Sequence, residues 1–162
     1  MLIVALCLTG VGYGLWSEAL NVNTIVKTGI WGEQVSCGQC FSSGTPDQGS
    51  ISCSKVVFNE LELTVTNAHY SPIYTCWFNI ANPGTIPLKI QEIIKTGVPT
   101  GVAASVQLVQ PGDQIEPGGT LAGVVRVQLD PKTPENPNMG DTFSFNVEFT
   151  LVKWNQYVPP PP

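Results

Sequence analysis

The sequence predicts an all-β fold, an antiparallel β-sandwich or jelly roll, behind a hydrophobic N-terminal signal-like segment. Three observations carry this expectation. Six or more segments alternate with period two, and none holds a helical period over the roughly 11 residues such a pattern needs. Turn residues separate these segments at close spacing, and the 162 residues include 16 Gly and 14 Pro, which suits short strands and works against long helices. Charged residues make up 12% and hydrophobic residues 43%. That charged share is about half the usual ~25%, which excludes both a Glu/Lys-faced helical protein and a disordered chain.

The segments run in order along the chain. Residues 20–31 (LNVNTIVKTGIW) place Leu20, Val22 and Thr24 on one face, with Val26 and Ile30 further along the same stretch. Residues 56–67 put Leu61, Leu63 and Val65 on one face and Glu60, Glu62 and Thr64 on the other. Residues 73–81 alternate Tyr74, Cys76, Phe78 and Ile80 against Thr75, Trp77 and Asn79. Segments 86–94, 102–109, 121–129 and 142–154 follow, divided by Asn82-Pro83-Gly84, Gly97 with Pro99, Pro111-Gly112-Asp113, Pro117-Gly118-Gly119 and the stretch 131–140. In the last segment Phe143, Phe145, Val147, Phe149 and Leu151 form the inward face, and Ser144, Asn146, Glu148 and Thr150 the outward one. Trp154 falls on the outward parity at the strand end, which makes it a candidate contact anchor, because aromatic residues dominate interface energetics. Residues 33–54 are rich in Ser, Gly and Cys, show no period, and read as a long surface loop.

The two ends differ from the middle. Residues 1–14 (MLIVALCLTGVGYG) read as the apolar and cleavage regions of a secretory signal, too short to span a bilayer. No Lys or Arg precedes Lys27, so the basic part of such a signal is missing, and the simplest repair is a start codon upstream of Met1. At the other end, Tyr157 and Val158 lead into Pro159 to Pro162, which can only form an extended polyproline-type tail, read as a frayed terminus in preference to a docking peptide. The expected organisation is therefore a signal-like segment (1–14), an N-terminal strand (15–31), a sandwich domain (32–157) that includes the Cys-rich loop 33–54, and a Pro tail (158–162).

Removal of the signal removes Cys7 and leaves Cys37, Cys40, Cys53 and Cys76, an even set that implies disulfides in a secreted chain. One of Cys37 and Cys40 is expected to join Cys53 and the other Cys76. A zinc site needs two close ligand pairs, but Cys53 and Cys76 are isolated and the single histidine, His69, lies in a turn. A thioredoxin-like site needs a βαβ setting, which the pattern does not offer. No HExxH helix, no Gly-x-Ser-x-Gly and no phosphate-cradling glycine loop is present. Glu60 and Glu62 share a solvated strand face. No catalytic residue, metal or cofactor is expected. With a net charge of −5 and 7 Lys plus Arg, the chain lacks the basic surface that a nucleic-acid backbone requires.

Two segments carry a family resemblance. Gly12-Tyr13-Gly14-Leu15-Trp16-Ser17-Glu18-Ala19-Leu20, followed by Lys27-Thr28-Gly29, is similar to the start of TasA/camelysin-like secreted fibre proteins. Phe145-Asn146-Val147-Glu148-Phe149-Thr150 with Lys153-Trp154-Asn155 resembles that family's closing strand. Residues 78–82 and 84–90 resemble a hairpin common in its archaeal members, and residues 111–119 their Pro-Gly turns; archaeal bundling pilus subunits are the closest picture. The resemblance implies a secreted jelly roll that assembles head to tail into extracellular fibres of a biofilm matrix by donor-strand exchange. It also implies bundling between fibres and contact with a membrane only during export. The donor residues would be Leu20, Val22, Thr24, Val26 and Ile30. The cysteine loop departs from the bacterial fibre pattern, and the zinc ligands that a camelysin-type protease needs are missing. Two other readings stand beside the fibre subunit: a type IV-like pilin that keeps its N-terminal segment, and a monomeric surface adhesin that binds through the cysteine loop.

Overall fold

Alternating side chains bury one face of a strand and wet the other, so the patterned segments pair face to face as two sheets. The structure, a computed structural model, describes residues 32, 34–44, 48–57, 59–130 and 139–160. They form nine strands: β1 (Gln34–Ser42), β2 (Ser50–Val57), β3 (Glu60–Thr66), β4 (Tyr74–Ala81), β5 (Leu88–Thr96), β6 (Val102–Gln107), β7 (Gln114–Ile115), β8 (Thr120–Leu129) and β9 (Phe143–Lys153). One sheet runs in the order β1-β4-β8-β6 and the other β2-β3-β9-β5-β7, and every pairing is antiparallel. The expected all-β sandwich is what the chain forms. The segments expected at 73–81, 86–94, 102–109, 121–129 and 142–154 lie within two residues of β4, β5, β6, β8 and β9.

The core lies between the sheets and comes from the inward parity of each strand. Leu61, Leu63 and Val65 of β3 meet Phe145, Val147 and Phe149 of β9, while Tyr74, Cys76, Phe78 and Ile80 of β4 cover them from the other sheet. The Phe78 and Phe149 rings lie 4.9 Å apart at the centre, tilted by 40°. Gly123, opposite Phe78 in the β4–β8 register, gives that ring its room: a Cβ at Gly123 would clash with the ring's far edge at Cζ. Two polar anchors fix the ends. Asn82, buried, donates from Nδ2 to the carbonyls of Ile86 (2.8 Å) and Ile115 (3.0 Å), and its Oδ1 accepts from the Gly84 N–H (3.0 Å). The hydroxyl of buried Tyr74 donates to the Gln48 carbonyl and accepts from the His69 N–H, both at 2.8 Å, joining two loops. Burial raises the Tyr74 phenol above its ordinary pKa, against a smaller opposing effect of the His69 amide.

Four expectations need correction. Residues 33–54 are not one loop: they hold β1 and the first part of β2. Their inward row is largely cysteine, so no run of large apolar residues announces the strands. Residues 56–67 are not one strand, because the chain turns between Val57 and Glu60. β7 arises between the Pro-Gly turns, where only turn residues were expected. The tail is not frayed at its start: the Gln91 side chain accepts from the Val158 N–H (3.0 Å) and donates to its carbonyl (2.6 Å). The N-terminal strand expected at 15–31, with Leu20, Val22, Thr24, Val26 and Ile30, lies outside the described residues, as does the signal-like segment.

Gly123→Ala should destabilise the chain by about 1–3 kcal/mol through overpacking against Phe78. Phe78→Leu in the same chain should recover part of that loss. Urea unfolding measures both, and a midpoint unmoved by Gly123→Ala would contradict the close approach.

Candidate functional site

The cysteines gather where the two sheets meet at β1 and β2. In a regular strand, residues three apart face opposite sides. The β1–β4 register carries a bulge: Cys37 pairs with Phe78 and Cys40 with Cys76, so three steps on β1 match two on β4. The extra residue turns both Cys37 and Cys40 inwards, and both pack against the core. Cys37 then bonds Cys53 of β2 in the facing sheet, and Cys40 bonds Cys76 of its neighbour β4. Gly38 in the bulge lies close to β4: a Cβ there would sit 3.0 Å from the Trp77 carbonyl oxygen, so a larger residue would push the two strands apart by a few tenths of an ångström. The expected pairing scheme holds, and the bulge decides which cysteine goes where. Two disulfides in one domain are consistent with an oxidising environment.

The opposite side of the sandwich is less closed. β6 pairs with β8, and the strand order places no strand on its other side among the described residues. The Asp130 N–H donates to the Gly101 carbonyl (2.8 Å), which sets the ladder alternation. Ala103, Ser105 and Gln107 therefore turn their backbone groups to β8, while Val102, Ala104 and Val106 turn theirs to the open edge. The Val102 N–H is used within its turn, by the Pro99 carbonyl at 3.2 Å. The Ala104 carbonyl accepts from Nζ of Lys95, on β5 of the facing sheet, at 2.7 Å. The side chains of Val102, Ala104 and Val106 pack against the core yet are only partly buried. Among the described residues β6 thus offers a backbone row with no strand beside it, whose Val102 N–H and Ala104 carbonyl are bonded locally, and a half-covered apolar row guarded by one lysine.

The other sequence-derived candidates fall as follows. Trp154 is 54% exposed, in the 3-10 turn Trp154–Gln156 just after β9 rather than on the strand. Its N–H donates to the Pro87 carbonyl (3.1 Å), so the turn is tied to the chain before β5. Glu60 accepts from Asn146 (2.7 Å) and Glu62 from Ser54 (3.2 Å), so the two carboxylates serve different neighbours. Among the described residues, no group of three or more His, Cys, Asp or Glu could hold a metal ion. No helix there is long and apolar enough to cross a membrane.

Sequence reasoning missed an apolar groove on the outer face of the four-stranded sheet. Phe41 (48% exposed), Trp77 (39%) and Leu108 (67%) rim it, above the buried Val124. Trp77 on the outward parity of β4 was the available signal. Phe41 was hidden in the stretch read as a loop.

Removing each disulfide should have a distinct cost. By loop-closure entropy alone, the cross-link separated by 16 residues contributes about 3 kcal/mol and the one separated by 36 about 4 kcal/mol. The Cys37→Ala/Cys53→Ala and Cys40→Ala/Cys76→Ala pairs should each lower the urea midpoint accordingly. Removing both should cost less than the sum, because the loops overlap. Unmoved midpoints would contradict this account of the corner.

Comparison with protein-family models, with curated proteins and with solved structures finds no match for this chain.

Proposed function

We propose that this chain is a structural subunit of an extracellular filament, built by adding residues 20–30 of one copy as a strand beside β6 of the next. The observation that carries the reading is the β6 edge. Its backbone row, which has no strand beside it among the described residues, can bond a strand from another chain, and its half-covered Val102, Ala104 and Val106 leave room for alternate apolar side chains. Residues 20–30 supply such a row in Leu20, Val22, Thr24 and Val26, with Ile30 at the end. The resemblance of the chain's opening and closing segments to TasA/camelysin-like fibre proteins supports the same reading. So do the disulfides, which persist in oxidising compartments. A contact between two different surfaces of identical subunits does not close unless the rotation allows a ring, and repetition gives a filament. The role is structural, with no catalytic step assigned.

The incoming strand would displace Lys95 from the Ala104 carbonyl. That carbonyl and the neighbouring amides would then enter a ladder.

The test removes residues 1–30 and adds a synthetic peptide of residues 20–31. The truncated chain should stay folded and monomeric and bind the peptide saturably. Ala104→Pro, which deletes an N–H facing the open edge and none that bonds β8, should keep the fold and abolish binding. Fibres of unchanged repeat from the truncated chain would overturn strand donation. Binding indifferent to Ala104→Pro would overturn β6 as the acceptor.

A further inference from the structure

The groove on the outer face of the four-stranded sheet is built from two lateral rows. Phe41, Thr75 and Arg126 lie side by side across β1, β4 and β8, and Trp77, Val124 and Gln107 across β4, β8 and β6. Val124 points outward yet is only 2% exposed, and it stands apart from the main core. It is the floor of a separate apolar site of about 290 Å³. That volume falls just under the ~300–1,000 Å³ of small-molecule pockets, and the site is open, which suits a peptide better than an enclosed ligand. Leu108 holds a left-handed backbone (φ 69°) that an L side chain rarely adopts, and it presents its side chain to solvent. Within this subunit that conformation gains no burial.

We propose that this groove receives the polyproline segment, residues 159–162, of a second copy. Three observations select that occupant. The first is chemical. Prolines carry carbonyl acceptors and no N–H, and their rings stack on aromatic walls. The groove supplies Trp77 and Phe41 as walls, and the Trp77 indole N–H, the Arg126 guanidinium and the Gln107 amide as donors, with no carboxylate in its lining. The second is dimensional. From β1 to β6 is three strand spacings, about 14 Å. Four residues of polyproline helix, the length beyond the Gln91 clamp on Val158, extend about 12 Å, within one strand spacing of that width.

The third observation is placement. The tail leaves the domain on the outer side of the five-stranded sheet. There Val158 is clamped by Gln91, and the Tyr157 ring lies under Lys89 Nζ (5.2 Å to the centroid). Pro159 and Pro160 are exposed. The groove is on the opposite face of the sandwich. Four residues in polyproline geometry reach about 12 Å, and the two sheets alone are about 10 Å apart, so residues 159–162 are too short to round the domain to its own groove. A second copy stacked face to face receives it. This contact is independent of the β6 edge and joins subunits side to side.

The test titrates a fluorescently labelled peptide of residues 157–162 with the intact chain and follows anisotropy. The expected result is saturable binding, weakened by about tenfold or more in Trp77→Ser and in Leu108→Gly. A peptide with Ala in place of each Pro should not bind. Leu108→Gly is the safeguard against misfolding: glycine adopts a φ of 69° freely, so this variant should melt no lower than the parent while losing affinity. No saturable binding, binding unchanged in both variants, or equal binding of the Ala peptide would each overturn the proposal.

Discussion

A β-sandwich satisfies the backbone of its inner strands and leaves four edges with unpaired N–H and C=O groups, and this chain treats its four edges unequally. β1 and β2 form one side, where Cys37–Cys53 ties sheet to sheet and Cys40–Cys76 ties β1 to β4. Neither strand can peel away without breaking a covalent bond. β7 is two residues long and pairs only Leu88 and Lys89, so that edge is shared between β7 and the rest of β5, where the Gln91 side chain holds Val158. β6 is six residues long, with no strand beside it among the described residues, Lys95 over one of its carbonyls and an apolar row only half covered. A single lysine is the kind of guard that lowers accidental pairing and yields to a specific strand. The asymmetry gives the domain a direction, as the proposed head-to-tail growth requires.

Much of this was legible in the sequence because burial on one face of a strand leaves a period of two. Leu61, Leu63 and Val65, the alternation of Tyr74, Cys76, Phe78 and Ile80, and the phenylalanines of β9 announce their inward faces directly. The disulfide scheme was legible as a pair of alternatives. What could not be read was the bulge that chooses between them, because it depends on Gly38 approaching the backbone of Trp77 on another strand. β1 itself escaped for a related reason: its inward row is Val35, Cys37 and Cys40, and covalent bonds do part of the work that large apolar side chains do elsewhere.

The surfaces were harder to read than the core. Trp154 is exposed, but it sits in a turn beyond the strand, where strand parity no longer applies. The groove of Phe41, Trp77 and Leu108 is assembled from three strands and the end of a fourth, and no local window of sequence contains it. β6 reads as an ordinary strand in sequence. That it is an edge follows only from the sheet order, which places it last beside β8.

Amide hydrogen exchange at Ala104 and Val106 tests the account most directly, comparing the assembled full-length chain with the monomer that lacks residues 1–30. Both amides face the open edge, so the account predicts fast exchange in the monomer and exchange at least about tenfold slower after assembly. The outer edges of β1 and β2 should not change. Equal exchange of Ala104 and Val106 in the two states, or new protection confined to β2, would contradict it.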